Sequence, residues 1–191
     1  MYDVVALGEL LIDFTTQSID SDGYPTMAAH PGGAPANFLA AIAKFGGKAG
    51  MLGKVGTDTF GKLLTNTLRG AGIETKGLVA ADGVFTTLAF VTLDENGDRE
   101  FAFARKPGAD TQLTFDELDL SLIDETRVFH FGTLSLTDEP ARTTTYRAVE
   151  YAKTHGKLVT YDPNLRKPLW RSLDEAKEQM LWGLRQADVV K

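Results

Sequence analysis

The chain contains no cysteine among its 191 residues. This absence excludes disulfide bonds, thiolate metal sites and cysteine nucleophiles, and it agrees with a reducing compartment. Long apolar runs are also lacking, since no segment approaches the roughly 20 residues that a membrane-spanning helix needs. The N-terminus has neither the basic head nor the apolar core of a secretory signal. We therefore predict a cytoplasmic protein with no membrane partner.

Positive charge is scarce. The chain has 20 Lys and Arg against 26 Asp and Glu, a formal net charge of −6, and no run of basic residues. Nucleic acid is therefore not an expected partner. The hydrophobic fraction of 43% and the charged fraction of 24% are those of an ordinary globular protein, and the length allows one domain.

Strand-like apolar runs alternate with segments of helical periodicity over most of the sequence. A run at 4–8 precedes a helical pattern at 38–45, and the same order recurs at 128–131 and 145–152. This alternation predicts an α/β protein with a parallel sheet. The residues 187–190 resemble the opening of another strand, and we expect the domain to be incomplete.

Two strand-like runs, 87–93 and 99–105, flank Asn96-Gly97. Asn-Gly between strands is a strong signal of a β-hairpin, because both residues tolerate positive φ. An antiparallel hairpin within an α/β chain predicts an added flap or lid.

Polar residues at the ends of predicted strands are candidates for ligand binding. Gly32-Gly33 precedes a helix, where backbone can approach a ligand and free N–H groups are available, and Asn37 follows in that helix. Asp13 follows the apolar run 10–12, and a carboxylate there can accept sugar hydroxyls. The alternatives are a plain loop capped by Asn37 and a solvated strand end at Asp13.

A second polar segment, Asp162-Pro163-Asn164-Leu165-Arg166, follows the strand-like run 158–161. Arg166 is suited to clamp a phosphate. The alternative is a turn with an exposed arginine.

The segment 56–62 imitates a phosphate-binding P-loop, but Leu63 stands where that motif needs Ser or Thr. We interpret Asp58 as a helix cap and place Leu63 in the core by helical periodicity. His30, His130 and His155 are widely spaced, so no metal ligand is assigned.

Taken together, the segments 8–13, 32–37, 53–61 and 162–166 resemble the ribokinase-type (PfkB) sugar kinases, and most of all bacterial fructokinases. The resemblance implies a ribokinase-like three-layer α/β sandwich with a mostly parallel sheet and a small β lid. It places the lid strands at roughly 14–30 and 85–105. It also implies transfer of phosphate from ATP to a sugar hydroxyl with a divalent cation, usually Mg²⁺.

The resemblance also assigns roles to residues. Five residues are implied to bind the sugar: Asp13, Gly32, Gly33, Asn37 and Arg105. Two residues are implied to bind the phosphates: Asn164 and Arg166.

The resemblance implies that the catalytic aspartate and an anion-binding loop lie in a later Gly-Ala-Gly-Asp motif at a helix N-terminus. This sequence lacks that motif, since Gly70-Ala71-Gly72 is followed by Ile73. We therefore expect the C-terminal part of the fold to be absent, no catalytic residue in this chain, and little or no kinase activity from it alone. The alternative is a non-catalytic sugar-binding or dimerisation fragment, in which exposed Phe101 and Phe103 on the lid pair with a second chain. The sugar itself stays open among fructose, 2-keto-3-deoxygluconate and nucleoside-like substrates.

Overall fold

The computed structural model describes residues 1–93 and 99–191. The predicted Asn96-Gly97 turn lies outside these residues. The described elements, in chain order, are the strands β1 (Tyr2–Leu7), β2 (Leu11–Ile19), β3 (Pro25–Gly32), β4 (Ala49–Gly56), β5 (Leu78–Ala81), β6 (Leu88–Leu93), β7 (Arg99–Ala104), β8 (Thr126–Gly132), β9 (Leu158–Asp162) and β10 (Val189–Val190), and the helices α1 (Ala34–Lys44), α2 (Thr59–Gly70), α3 (Leu120–Asp124), α4 (Ala141–Thr154) and α5 (Leu173–Gln186).

The main sheet has six strands in the order β10-β9-β8-β1-β4-β5, and every neighbouring pair is parallel. Side chains of β1 alternate between two cores. Val5 and Leu7 pack in the core that includes α3, α4 and α5, whereas Val4 and Ala6 pack in the core that includes α1 and α2. Helices on both faces of a parallel sheet confirm the predicted three-layer α/β sandwich.

A second sheet forms the lid, with four strands in the order β3-β2-β6-β7. β6 and β7 pair antiparallel, as the sequence predicted for the two runs around 94–98. β2 begins earlier than expected, because Leu11 already pairs with Gly32 of β3. Asp13 therefore lies inside a lid strand, and the prediction that it stands at the end of a strand was wrong.

The start of α2 is fixed by Asp58. Its Oδ1 atom accepts hydrogen bonds from the backbone N–H groups of Phe60 (2.8 Å) and Gly61 (2.9 Å), and its Oδ2 atom accepts one from Thr86 (2.8 Å). This segment is a capped helix, as predicted. The placement of Leu63 in the core was wrong, because its side chain is 41% exposed and the buried face of α2 contains Leu64 instead.

Replacing Asp58 by Ala is expected to lower the free energy of unfolding by about 1–2 kcal/mol, because three backbone N–H groups lose their acceptor. Burial opposes ionisation of Asp58, but the hydrogen bonds from Thr86, Gly61 and Phe60 lower its pKa below the usual value. The contribution is therefore present above the unfolded pKa and is lost as the pH falls through the folded one. Urea unfolding at pH 7 measures the loss. Asp58→Asn keeps an acceptor and should retain part of the stability, and equal stability of Asp58→Ala and the unchanged chain would contradict the capping role.

Among the described residues, no helix combines the length and the apolar character that crossing a membrane requires.

Candidate functional site

The candidate site lies at the carboxyl edge of the main sheet. β1 is central, and the strand order proceeds outward from it in opposite directions through β4 and through β8. Open α/β sheets bind ligands at such a reversal point, outside the carboxyl ends of the strands. At this edge β8 and β9 end side by side, since Gly132 is in register with Asp162. The chain leaves β1 here and enters the lid.

A cleft of about 840 Å³ opens between the lid and this edge. A smaller recess of about 120 Å³ shares Asp13, Asn37, Phe101 and Arg166 with it. Gly33 and Asn164 line the recess as well. Five of the seven residues predicted from the sequence therefore line this one site, although they come from three separate parts of the chain: Asp13, Gly33, Asn37, Asn164 and Arg166.

The two predicted glycines are needed for close packing behind the cleft. A Cβ atom on Gly32 would overlap the carboxylate of Asp13, and one on Gly33 would overlap the carbonyl oxygen of Glu9. Gly33 also has φ of 110°, in the region that side chains other than glycine rarely adopt. Gly32 is not among the residues that line the cleft. Its lack of a side chain leaves room for the carboxylate of Asp13.

Asn37 and Asp13 present side chains that make no hydrogen bond with the described part of the chain. The Asn37 backbone N–H donates to the carbonyl of Gly33 (2.9 Å), and its amide side chain is exposed to the cleft. Asp13 is half-buried, and burial raises the pKa of its carboxyl group against the opposing charges of Arg166 and His30. Both side chains are free to bind a ligand in the cleft.

The loop after β9 brings Arg166 to the same cleft as Asp13. Trp170 Nε1 donates to the carbonyl of Leu165 (2.6 Å), and Arg166 itself has a left-handed backbone with φ of 40°. Such a conformation costs on the order of 1 kcal/mol for a residue with a side chain. The guanidinium carbon lies 4.7 Å from the ring centroid of Phe101, on lid strand β7.

Arg105 does not reach the cleft, so its predicted approach to the sugar does not agree with the structure. Its side chain is buried, with the residue only 3% exposed. Its Nε atom donates to Asp110 (2.9 Å), Nη1 to Thr137 (2.7 Å) and Nη2 to the carbonyl of Leu134 (2.9 Å). Because its donors are directed to protein acceptors, Arg105 joins the end of β7 to the segment that follows β8.

The dimerisation alternative assumed that Phe101 and Phe103 are exposed, and the structure does not agree with this. Phe101 and Phe103 are both half-buried, and their rings stack with centroids 6.1 Å apart. Phe101 lines the cleft.

Glu9 is a site residue that the sequence reasoning missed. It lies two residues after the end of β1, and the residue is 2% exposed. Its Oε1 atom accepts a hydrogen bond from the N–H of Ala34 at the start of α1 (2.8 Å), whereas buried Oε2 has no partner among the described residues. Burial raises the pKa of Glu9 to about 7. The available signal was a carboxylate placed immediately after a buried strand.

Replacing Glu9 by Gln is expected to remove a pH dependence of stability. The folded protein holds the Glu9 proton more tightly than the unfolded chain, so the contribution of the neutral acid is full below pH 4.5 and is lost as the pH rises through about 7. Between pH 4.5 and 8, the free energy of unfolding of the unchanged chain should fall by about 2–3 kcal/mol relative to that of Glu9→Gln. Urea unfolding at both pH values measures this, with Glu178→Gln as the exposed control. An identical pH dependence of stability in Glu9→Gln and the unchanged chain would contradict the raised pKa of Glu9.

His130 packs within the fold. Its Nδ1 atom lies 2.9 Å from the hydroxyl of Thr160, and its ring lies 4.4 Å from that of Phe38. Burial lowers the pKa of His130 to about 4, so the imidazole is neutral at pH 7. Within 1–93 and 99–191, no group of three His, Cys, Asp or Glu side chains is arranged to hold a metal ion.

Asp13, Asn37 and Arg166 bring a carboxylate, an amide and a guanidinium to one cleft, and such groups can bind hydroxyls and an anion. Comparison with known proteins identifies the class: residues 1–191 match the model of the pfkB family carbohydrate kinases, and the chain belongs to that family.

Among its relatives, the chain is 48% identical over 190 residues to Fructokinase-1 of Zea mays and 45% identical to probable fructokinase-3 of Arabidopsis thaliana. These matches cover 98% of this chain and 59% and 55% of the two relatives. The structure of the fructokinase from Xylella fastidiosa superposes with a TM-score of 0.93 at 33% identity, covering 100% of this chain and 59% of that one. A structure of fructokinase with bound ATP from Xylella fastidiosa gives a TM-score of 0.91 at 32% identity, covering 100% of this chain and 57% of that one. The ribokinase-like fold is thus confirmed, and the chain spans less than three-fifths of the length of these relatives.

Proposed function

We propose that this chain forms the sugar-binding side and the lid of an ATP-dependent sugar kinase, with fructose as the sugar. The observation that carries the proposal is the convergence of Asp13, Asn37 and Arg166 on one cleft, from a lid strand, a helix start and a loop of the main sheet. The fructokinases among its relatives support fructose over the other sugars.

Each group has a distinct task in binding the sugar. The Asp13 carboxylate accepts hydrogen bonds from sugar hydroxyls, and charge-assisted bonds of this kind are the strong ones. The Asn37 amide both donates and accepts, which suits a hydroxyl in either role. Gly33 lets the backbone come close to the ligand, and the lid excludes water from the reacting atoms.

The phosphate side of the cleft is formed by Asn164 and Arg166. The Arg166 guanidinium makes no hydrogen bond or ion pair with the described residues, so its N–H donors fit the oxygens of ATP phosphates. ATP, when bound, supplies the phosphoryl group that is transferred. A divalent cation such as Mg²⁺ belongs to the proposed reaction, but no residue of this chain is assigned as its ligand, since the described part holds no suitable cluster.

We propose no general base in this chain, because the 191 residues contain no Gly-Ala-Gly-Asp motif. We propose that the chain alone binds sugar and transfers phosphate at least about 10³-fold more slowly than an ordinary enzyme, since a positioned base and an anion-binding loop each contribute roughly 10²-fold or more.

Calorimetric titration with fructose and with ATP, and a coupled kinase assay on the same preparation, test this function. We expect fructose binding between about 1 μM and 1 mM, the usual range of enzyme affinities for substrates, together with minimal turnover. Normal turnover would overturn the role given to the missing motif, and absence of fructose binding would overturn the sugar site. Fructose binding without ATP binding would favour a non-catalytic sugar-binding fragment.

We also propose a homodimer through the lid. β3 and β7 are the outer strands of the lid sheet, and outer strands expose backbone groups that can pair with another chain. Light scattering should give twice the chain mass of 20.8 kDa, and a monomer at all concentrations would contradict it. The cytoplasmic location stays a prediction.

A further inference from the structure

The contact between Arg166 and Phe101 links the loop after β9 to lid strand β7. We propose that Phe101 is a positioning residue, whose ring orients the Arg166 guanidinium toward the phosphoryl group that ATP brings to the cleft and that the sugar carries after transfer. This inference rests on the proposed function, because it concerns the phosphate end of the same cleft.

The ring is the partner that the structure gives to this guanidinium. The guanidinium carbon lies 4.7 Å from the ring centroid, well inside the roughly 6 Å range of a cation–π contact. Among the described residues, no acceptor receives a hydrogen bond from the Arg166 side chain, and no carboxylate lies within 4 Å of it. Asp13, on the same cleft, is farther away but near enough for the two charges to interact. A cation–π contact requires no hydrogen-bond acceptor from the protein, so the N–H groups stay available for oxygen atoms of a ligand.

Arg105 shows what a structural arginine looks like in the same molecule. Its guanidinium is buried and bonded to Asp110, Thr137 and the carbonyl of Leu134. Arg166 is half-buried, faces the cleft and lacks such partners. The difference indicates that Arg166 is held for a ligand, whereas Arg105 is held for the fold.

The ring and the backbone restrain opposite ends of the Arg166 side chain. At the backbone end, the loop is tied by the bond from Trp170 to the Leu165 carbonyl. At the guanidinium end, Phe101 is itself fixed by stacking on Phe103 and by pairing with Val91 of β6. The position of the lid therefore sets the direction of the guanidinium.

The affinity for a sugar phosphate should depend on the contact between Phe101 and Arg166, whereas the affinity for a free sugar should not. Hydroxyls of either ligand contact Asp13 and Asn37, but a phosphoryl group in addition contacts Arg166. Loss of the aromatic face should therefore weaken the phosphate-dependent part of the affinity and spare the rest.

Calorimetric titrations with fructose and with fructose 6-phosphate test the proposal on four chains: unchanged, Phe101→Leu, Phe101→Tyr and Arg166→Met. Phe101→Leu should bind fructose 6-phosphate about five- to tenfold more weakly, the size of a partly desolvated cation–π contact, and fructose within twofold of the unchanged chain. Phe101→Tyr should restore the affinity, because it keeps the aromatic face. Arg166→Met should bind the two ligands equally. Phe45→Leu is the matched control, since that ring is 88% exposed and does not line the cleft.

The NMR signal of the Arg166 Nε–H group reports the contact between Phe101 and Arg166 in the protein without ligand. A ring-current shift should be present in the unchanged chain and in Phe101→Tyr, and absent in Phe101→Leu. Absence of the shift from the unchanged chain, or an unaltered preference for the phosphate ester in Phe101→Leu, would overturn the positioning role. If neither sugar binds although the shift is present, the proposed function fails and the contact stands.

Discussion

Replacing Asp13 by Asn should weaken fructose binding by at least about a hundredfold while the fold is retained. The substitution exchanges an ionised acceptor for a neutral amide of the same shape, and hydrogen bonds to charged groups contribute about 1.5–3 kcal/mol each. Two hydroxyls bonded to one carboxylate would lose more than one such contribution. Asp13 makes no side-chain hydrogen bond within the described residues, so stability should change little.

Calorimetry with fructose measures the affinity, and thermal unfolding checks the fold. Asp22→Asn is the matched control, because Asp22 lies in the lid turn between β2 and β3, is exposed and does not line the cleft. Equal fructose affinity of Asp13→Asn and Asp22→Asn would refute the assignment of Asp13.

Replacing Arg105 by Met should lower the free energy of unfolding by about 3–5 kcal/mol. The pair of Arg105 with Asp110 is buried, with 2.7 Å between Nη2 and Oδ2, and removal of one partner leaves the other as an uncompensated buried charge. The Thr137 hydroxyl would lose the donor Nη1, and the Leu134 carbonyl would keep only its bond from the Thr137 side chain. The attachment of the lid to the segment after β8 should weaken with them.

Urea unfolding measures this loss, and two further variants locate its cause. Arg105→Lys keeps the charge but not the forked donors, and it should be intermediate. The double substitution Arg105→Met with Asp110→Leu should recover part of the stability, because no buried charge is left alone. A loss below about 1 kcal/mol in Arg105→Met would show that the ion pair does not anchor the lid.

Much of the fold could be predicted because the relevant signals are local. The apolar run of β1, the cap at Asp58 and the paired runs of β6 and β7 each depend on neighbouring residues. The error at Leu63 is of another kind. Helical periodicity places an apolar stripe only to within about one residue, and which side of that stripe is covered depends on the sheet beneath it.

The candidate site was predicted less evenly, because chemistry alone does not show where a side chain points. Arg105 and Arg166 are equally suited to an anion by residue type. Arg105, however, is bonded to nearby Asp110 and to Leu134 and Thr137 farther along the chain, whereas Arg166 has no such partners among the described residues. Glu9 was missed since its burial arises from the packing of α1 against the end of β1. Both outcomes depend on contacts between segments far apart in the chain.

The most direct test of the sugar site is a crystal structure of the chain with fructose bound. The account predicts the sugar in the cleft beneath the lid, with its hydroxyls within hydrogen-bond distance of the Asp13 carboxylate and the Asn37 amide, beside Arg166. A sugar bound elsewhere, with these side chains still facing solvent, would contradict it.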